Sequence, residues 1–380
     1  MQPPVNTPAA SDEGLHVSTA GNTLHVDVVR KDHTELTAHP GSLETLVPLL
    51  AGPDTFFLVD EGLLDSRPDL QQALPRGRYL SMPSGEENKT LTRAEETIDA
   101  LHRRRVHRRS TLIGMGGGVL TDTAGLIANL YFRGVRLAYV PTTLLAMIDS
   151  SVGGKVAVNH PRQKNLIGSF YHPAAIHLCM ESLRTLPERE ISSAVGEAMK
   201  VAIVGSPELF TELEQLPSLS WKDPQLENIV LQCMELKLRL LGANCFERSL
   251  ERSLNFGHSI AHPLEDITNF RLRHGEAVGI GIAVASHISW QRKILSTTDL
   301  RRIIALAVRL GLPLADRDFD VHVLLHHVDR LVMQRGGRSL HYVIPESIGR
   351  VRIIDAVSRT EIRTALDAVA QISKEYHDAC

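Results

Sequence analysis

Cysteine is scarce in this 380-residue chain, and Cys179, Cys233, Cys245 and Cys380 lie too far apart for a disulfide framework or a CxxC thiolate site. A reducing cytoplasm is the expected compartment. An excess of one charge is also missing: 41 Lys and Arg face 44 Asp and Glu, for a net charge of −3. That leaves no basic field for nucleic acid and no acidic tail, so a small-molecule partner is expected instead. No run approaches the roughly 20 apolar residues that span a bilayer, so no membrane partner is expected. The opening MQPPVNTPAASDEG lacks the basic and apolar blocks of a signal peptide, and residues 1–14 read as a disordered tail.

At 43% hydrophobic and 22% charged residues, the chain is ordinary for a globular protein and long enough for two cores. In its first half, short apolar runs at 23–29, 55–59, 111–114 and 137–140 alternate with helical patterns at 93–103 and 121–132. That alternation predicts a parallel sheet with covering helices. Beyond about residue 186 strand signals nearly vanish, and amphipathic stretches at 228–241, 276–291 and 360–372 predict a helical region. The turn and helix start in TLPE place the boundary there, giving domains 15–186 and 187–380.

The segment TLIGMGGGV runs from a buried-strand pattern into glycines and then into a helical stretch containing Asp122. Gly116, Gly117 and Gly118 would let backbone N–H groups approach a pyrophosphate at a helix N-terminus. A plain tight turn explains the glycines equally well, because the spacing is not GxGxxG. Asp60 ends an apolar strand pattern, where an acidic residue can bind a ribose hydroxyl. Glu86 and Lys89 lie together in GEENK, whose alternative reading is a solvated turn.

His258 and His262 share a face if their segment is helical, although 18 histidines yield about one such pair by chance and Pro263 sits awkwardly in a helix interior. With Glu197 in VGEAMK and His274 in HGEAVG, His258 would supply two imidazoles and a carboxylate. Such a set leaves room for substrate oxygens on zinc, but spacing alone does not bring the three together. Asp149, Lys155, Asn159, Lys164 and Asn165 concentrate charges and amides in a Gly-rich segment. This suits either a phosphorylated substrate, with Arg133 joining or reaching a neighbouring subunit, or a solvated loop.

Taken together, GMGGGVLTDTAG, YFRGVRLAYVPTTLLAMIDSSVGGK, VNHPRQKNLIGSFYHP, TLPEREISSAVGEAMK, LNFGHSIAH and RHGEAVGIG resemble, in order and register, the motif series of the 3-dehydroquinate synthase family. The likeness is close from residue 84 to 285 and weaker at both ends. It implies an N-terminal Rossmann-like α/β domain, an all-α C-terminal domain, an active site in the cleft between them, and a homodimer. Glu197, His258 and His274 would be the ligands of Zn2+, with Co2+ a possible substitute. Glu86, Lys89, Gly117, Gly118, Val119, Asp122, Thr142 and Thr143, with Asp60, would frame NAD+. Asp149, Lys155, Asn165, Lys200, Lys237, Asn255 and His262 would meet a phosphorylated sugar. Lys164 would serve the cofactor or substrate, and Arg133 would reach across the dimer.

The chemistry implied is transient oxidation of a secondary hydroxyl by NAD+, loss of phosphate, return of the hydride and intramolecular aldol closure. Two positions depart from the family pattern. Glu251 stands where an Arg usually meets the substrate's carboxylate, with Arg252 beside it. Two carboxylates repel by about 1 kcal/mol at contact even in water. MQRGGR at 333–338 replaces an Asp-Lys-Lys run that helps hold phosphate, and Arg335 or Arg338 would restore the charge but not its geometry.

Cyclases acting on sedoheptulose 7-phosphate tend to carry Asp at the position of Asn255 and Pro at that of His262. Deoxy-scyllo-inosose synthases, which use glucose 6-phosphate, usually differ within SSVGGK. The resemblance therefore places 3-dehydroquinate synthase, acting on 3-deoxy-D-arabino-heptulosonate 7-phosphate (DAHP), ahead of a specialised-metabolism cyclase with a non-carboxylate substrate. A polyol dehydrogenase comes third.

Overall fold

The computed structural model describes residues 14–20, 23–29, 31–217, 219–246, 253–269, 271–316, 321–334 and 342–378. Most of the expected tail, residues 1–13, therefore lies outside the described residues, as do Glu251, Arg252 and residues 335–338. Gly14 already opens a strand. The strands are β1 (Gly14–Ala20), β2 (Thr23–Val29), β3 (Glu35–Ala38), β4 (Thr55–Asp60), β5 (Tyr79–Met82), β6 (Thr111–Gly116), β7 (Arg136–Pro141), β8 (Lys155–His160), β9 (Gln163–Phe170), β10 (Ala175–Leu178), β11 (Tyr342–Ser347) and β12 (Arg350–Ile354).

Helices α1 (Leu43–Leu50), α2 (Glu61–Ser66), α3 (Pro68–Ala73), α4 (Leu91–Arg103) and α5 (Gly118–Leu130) accompany the first half. The second half is built from α6 (Glu188–Gly205), α7 (Pro207–Gln215), α8 (Pro224–Leu241), α9 (His258–Ile267), α10 (His274–Gln291), α11 (Thr297–Arg309), α12 (Val321–Gln334) and α13 (Arg359–Asp378). The α/β then helical order follows the sequence expectation, with one addition: β11 and β12 form an antiparallel hairpin in the helical half.

A six-stranded sheet in the order β3-β10-β7-β6-β4-β5 carries the first half, and every pair in it is parallel. Alternate residues of its strands enter different cores. Phe56, Leu58 and Leu112 pack on one face with residues of α4 and α5, while Phe57, Val59, Ile113 and Met115 pack on the other with residues of α1, α2 and α3. Burial on both faces explains why these strands read as unbroken apolar runs. β5 and β6 lie on opposite sides of β4, so the strand order switches there and opens a crevice at the carboxyl ends.

Two segments differ from the sequence reading. Thr23–Val29 is a strand, but it pairs antiparallel with β1 outside the large sheet. The segment holding Lys155, Lys164 and Asn165 is an antiparallel β8–β9 hairpin rather than a loop. Its Val156 and Val158 are buried, and Val156 lies against α5, where a Cβ on Gly125 would come within 2.3 Å of it.

Candidate active site

The glycine turn joins β6 to α5 at the switch point. Gly117 caps α5 with no side-chain hydrogen bond, so no side chain occupies the amides of its first turn, the kind of helix N-terminus that suits an anion. Space here is limited: a Cβ on Gly116 would stand 2.9 Å from Asp60 Cβ, and one on Gly117 would stand 3.0 Å from Thr143 Cγ2. The cradle thus lies between the ends of β4 and β7, beside the buried Thr142. Asp60 Oδ1 accepts from Leu63 N at 3.1 Å and from Ser84 Oγ at 2.7 Å.

A polar chain continues from α5 across the hairpin. Lys89 Nζ donates to Asp122 Oδ2 at 2.6 Å and to Asn165 Oδ1 at 2.5 Å. Asn165 N donates to Asn159 Oδ1 at 2.9 Å, and Asn159 Nδ2 donates to Glu86 Oε1 at 2.8 Å. Lys164 Nζ lies 3.8 Å from Glu86 and 3.7 Å from Glu265 on α9, so this chain reaches the helical half.

On the helical side, Glu197 in the middle of α6 faces His258 and His274, the first residues of α9 and α10. Their ligand atoms all lie within 4.8 Å of one another. Each imidazole presents Nε2 to Glu197 Oε1, at 3.6 Å for His258 and 3.2 Å for His274. The other ring nitrogens are engaged, His258 Nδ1 with the Phe256 carbonyl at 3.1 Å and His274 Nδ1 with Glu265 Oε2 at 3.2 Å. Fixing Nδ1 in this way orients Nε2 for a metal. Both Glu197 oxygens are buried, Oε2 paired with the buried Lys200 and Oε1 facing the two imidazoles. Buried anionic oxygens need a cation.

Electrostatics agree with that reading. Burial would raise the Glu197 carboxyl, but Lys200 and then the two imidazoles hold it well below the usual carboxylate range. Burial, reinforced by Lys200, drives His258 well below its ordinary value and keeps it neutral. His274 is pushed up to about 10 despite burial, because Glu265 and Glu197 flank it. Positive charge is therefore favoured between those carboxylates, whether a proton or a metal supplies it.

Lys237 on α8 is buried and donates to Asp149 Oδ1 at 2.7 Å. Asp149 lies in a single π-helical turn, Ala146–Ser150, after β7. Burial opposes its ionisation, but Lys237, Lys200 and Lys155 together keep its carboxyl low. His262 lies one turn beyond His258, with ring centroids 5.0 Å apart, and 6.4 Å from the His274 ring. The helix runs on through Pro263, contrary to the expectation of a broken geometry, although proline there removes one amide donor. Asn255 is half-buried just before α9, and Arg133 is exposed after α5 with φ of 64°.

Comparison with known proteins decides the family. Residues 79–193 match the model for the 3-dehydroquinate synthase N-terminal domain, and residues 194–331 match that for the C-terminal domain. A 2-epi-valiolone synthase of Actinosynnema mirum is 35% identical over 379 residues, 95% of this chain and 99% of that protein. A 3-dehydroquinate synthase of a Nostoc species is 37% identical over 292 residues, 75% of this chain and 80% of that protein. The chain belongs to the 3-dehydroquinate synthase family.

A solved 2-epi-5-epi-valiolone synthase from Streptomyces hygroscopicus subsp. jinggangensis, with NAD+ and Zn2+ bound, matches this family member with a TM-score of 0.84. That likeness has 28% identity and covers 91% of this chain and 99% of the other. Sugar-phosphate cyclases of this kind share the order of α/β sheet and helical half seen here. Sequence reasoning named Glu197, His258 and His274 and did not assign Glu265 a part. Glu265 lies nine positions before His274 on another helix, and nothing in their spacing marks the contact.

Proposed function

We propose that this family member closes a seven-carbon ketose phosphate without a carboxylate, such as sedoheptulose 7-phosphate, to a 2-epi-valiolone-type cyclitol with release of phosphate. This reverses the order that Asn255 and His262 suggested in the sequence. The observation that carries the substrate assignment is Glu251, a carboxylate where the family pattern places an Arg for a carboxylate substrate. The near full-length likeness to the Actinosynnema mirum protein supports it.

Glu197, His258 and His274 would hold Zn2+, and their clustered donor set of one carboxylate and two imidazoles fits that ion. The turn at Gly117, Gly118 and Val119, with Asp60, Glu86, Lys89, Asp122, Thr142 and Thr143, would frame NAD+. When bound, zinc supplies Lewis acidity and NAD+ a reversible hydride acceptor. Lys200, buried beside Glu197, holds negative charge at the substrate oxygen being oxidised. Lys155, Lys164 and Lys237 position the phosphate, with Asn165, Asn255, His262 and Asp149 orienting hydroxyls.

With one hydroxyl oxidised to a ketone, the adjacent C–H is acidic, and its proton leaves with the phosphate group. Reduction of the ketone restores the redox balance before ring opening and aldol closure. The protein acts as a homodimer in this reading, with Arg133 reaching the partner's site.

The deciding experiment incubates the protein with NAD+, Zn2+ or Co2+, and in parallel sedoheptulose 7-phosphate, DAHP or glucose 6-phosphate. Phosphate release from the first without accumulation of NADH is expected. Release from DAHP alone establishes the second reading, 3-dehydroquinate synthase, which Asn255 and His262 favour. Steady growth of NADH absorbance indicates a polyol dehydrogenase and sinks both.

A further inference from the structure

Glu265 is a buried carboxylate, 6% exposed, on the same helix as His258 and two turns beyond it. Its two oxygens face different partners. Oε2 meets His274 Nδ1 at 3.2 Å, and Oε1 lies 3.7 Å from Lys164 Nζ on the β8–β9 hairpin. A proton kept on Nδ1 satisfies Glu265, so that a metal displacing the other proton would find the His274 lone pair on Nε2, the atom 3.2 Å from Glu197. Glu265 thus fixes both the tautomer and the ring plane of one arm of the triad. Lys164 offsets the charge of its second oxygen and so makes burial of this carboxylate tolerable.

We infer that Glu265 is a positioning residue for the metal seat, acting through His274 and braced from the other half of the chain by Lys164. The inference rests on the reading of Glu197, His258 and His274 as metal ligands. Carboxylate support of a ligating imidazole raises its basicity and holds its direction, and removing such support typically weakens metal binding about 10–100-fold. α9 would then serve the metal twice, through His258 at its first turn and Glu265 near its end.

The test titrates Zn2+ into metal-free wild type, Glu265→Ala, Glu265→Gln and Glu197→Ala, using chelator competition, and records the visible spectrum of each Co2+ form. Glu265→Ala is expected to bind Zn2+ about 10–100-fold more weakly than wild type, with an altered Co2+ spectrum. Glu265→Gln keeps an acceptor for Nδ1 without the charge and is expected to fall between the two. If Glu265→Ala does not fold, the near-isosteric Gln variant decides the matter, provided its metal-free urea midpoint matches wild type. Wild-type zinc affinity and spectrum in the Glu265 variants, alongside loss of binding in Glu197→Ala, overturns the positioning role alone. A wild type that binds no Zn2+ overturns the metal reading beneath it.

Discussion

Gly196 and Gly275 meet backbone against backbone: a Cβ on Gly196 would stand 2.3 Å from the Gly275 carbonyl oxygen, and one on Gly275 only 1.7 Å from that of Ser193. Gly196 precedes Glu197 and Gly275 follows His274, so the contact joining α6 to α10 also sets the carboxylate beside the imidazole. The pattern recurs before His258, where a Cβ on Gly281 would stand 2.0 Å from the Gly257 carbonyl oxygen. Since the obstructing atoms are backbone, Gly275→Ala must push the helices apart. It is expected to cost at least the roughly 1–3 kcal/mol of an overpacked core and to lower bound zinc. Urea unfolding and metal analysis measure both, and full stability with full zinc content contradicts this account of the contact.

Removing a ligand should separate metal from nucleotide. Glu197→Ala and His258→Ala are expected to abolish phosphate release and lose zinc, while NAD+ binding remains measurable by calorimetry because the glycine turn belongs to the other half of the chain. Zinc content equal to wild type in both variants removes the ligand assignment.

The α/β half was legible because β4, β6 and β7 are buried on both faces and flanked by glycine or polar turns. The β8–β9 hairpin was not, because Lys155, Asn159, Lys164 and Asn165 outnumber its buried valines, whose support comes from α5. The cluster of Glu197, His258 and His274 was legible only as motifs. His258 and His274 become neighbours because Gly196, Gly257, Gly275 and Gly281 allow helix contacts whose partners lie up to 82 positions apart. Glu265 required the folded structure for the same reason.

Asp60 stands at the end of β4 beside Gly116, where its carboxylate would face the adenosine ribose and repel a 2′-phosphate. Preference for NAD+ over NADP+ is therefore expected, and Asp60→Ser should narrow it by roughly tenfold, since one like-charge contact is worth about 1 kcal/mol or more when partly buried. Because Asp60 also caps α2, thermal unfolding of the variant belongs beside the titrations of both nucleotides. An unchanged preference in a folded variant rules out the ribose contact.

Glu361 fixes the start of α13 to the end of α10. Arg292 Nε donates to its Oε1 at 2.7 Å, while Ser358 N donates to its Oε2 at 2.9 Å and Ser358 Oγ accepts from Glu361 N at 3.2 Å. The Arg292 hydrogen bond, against modest burial and with help from Ser358, holds the carboxyl down to about 2 from an ordinary 4.5. A carboxyl lowered in the folded state contributes stability that is complete above its unfolded value and disappears as pH falls through its folded one. The contribution should thus be present at pH 7 and fade between about pH 5 and pH 2. Allowing for solvent screening of a partly exposed pair, Glu361→Gln is expected to cost on the order of 1 kcal/mol at pH 7. Urea midpoints of wild type and variant should converge toward pH 2, whereas a gap that persists undiminished there would show that the carboxylate's charge plays no part.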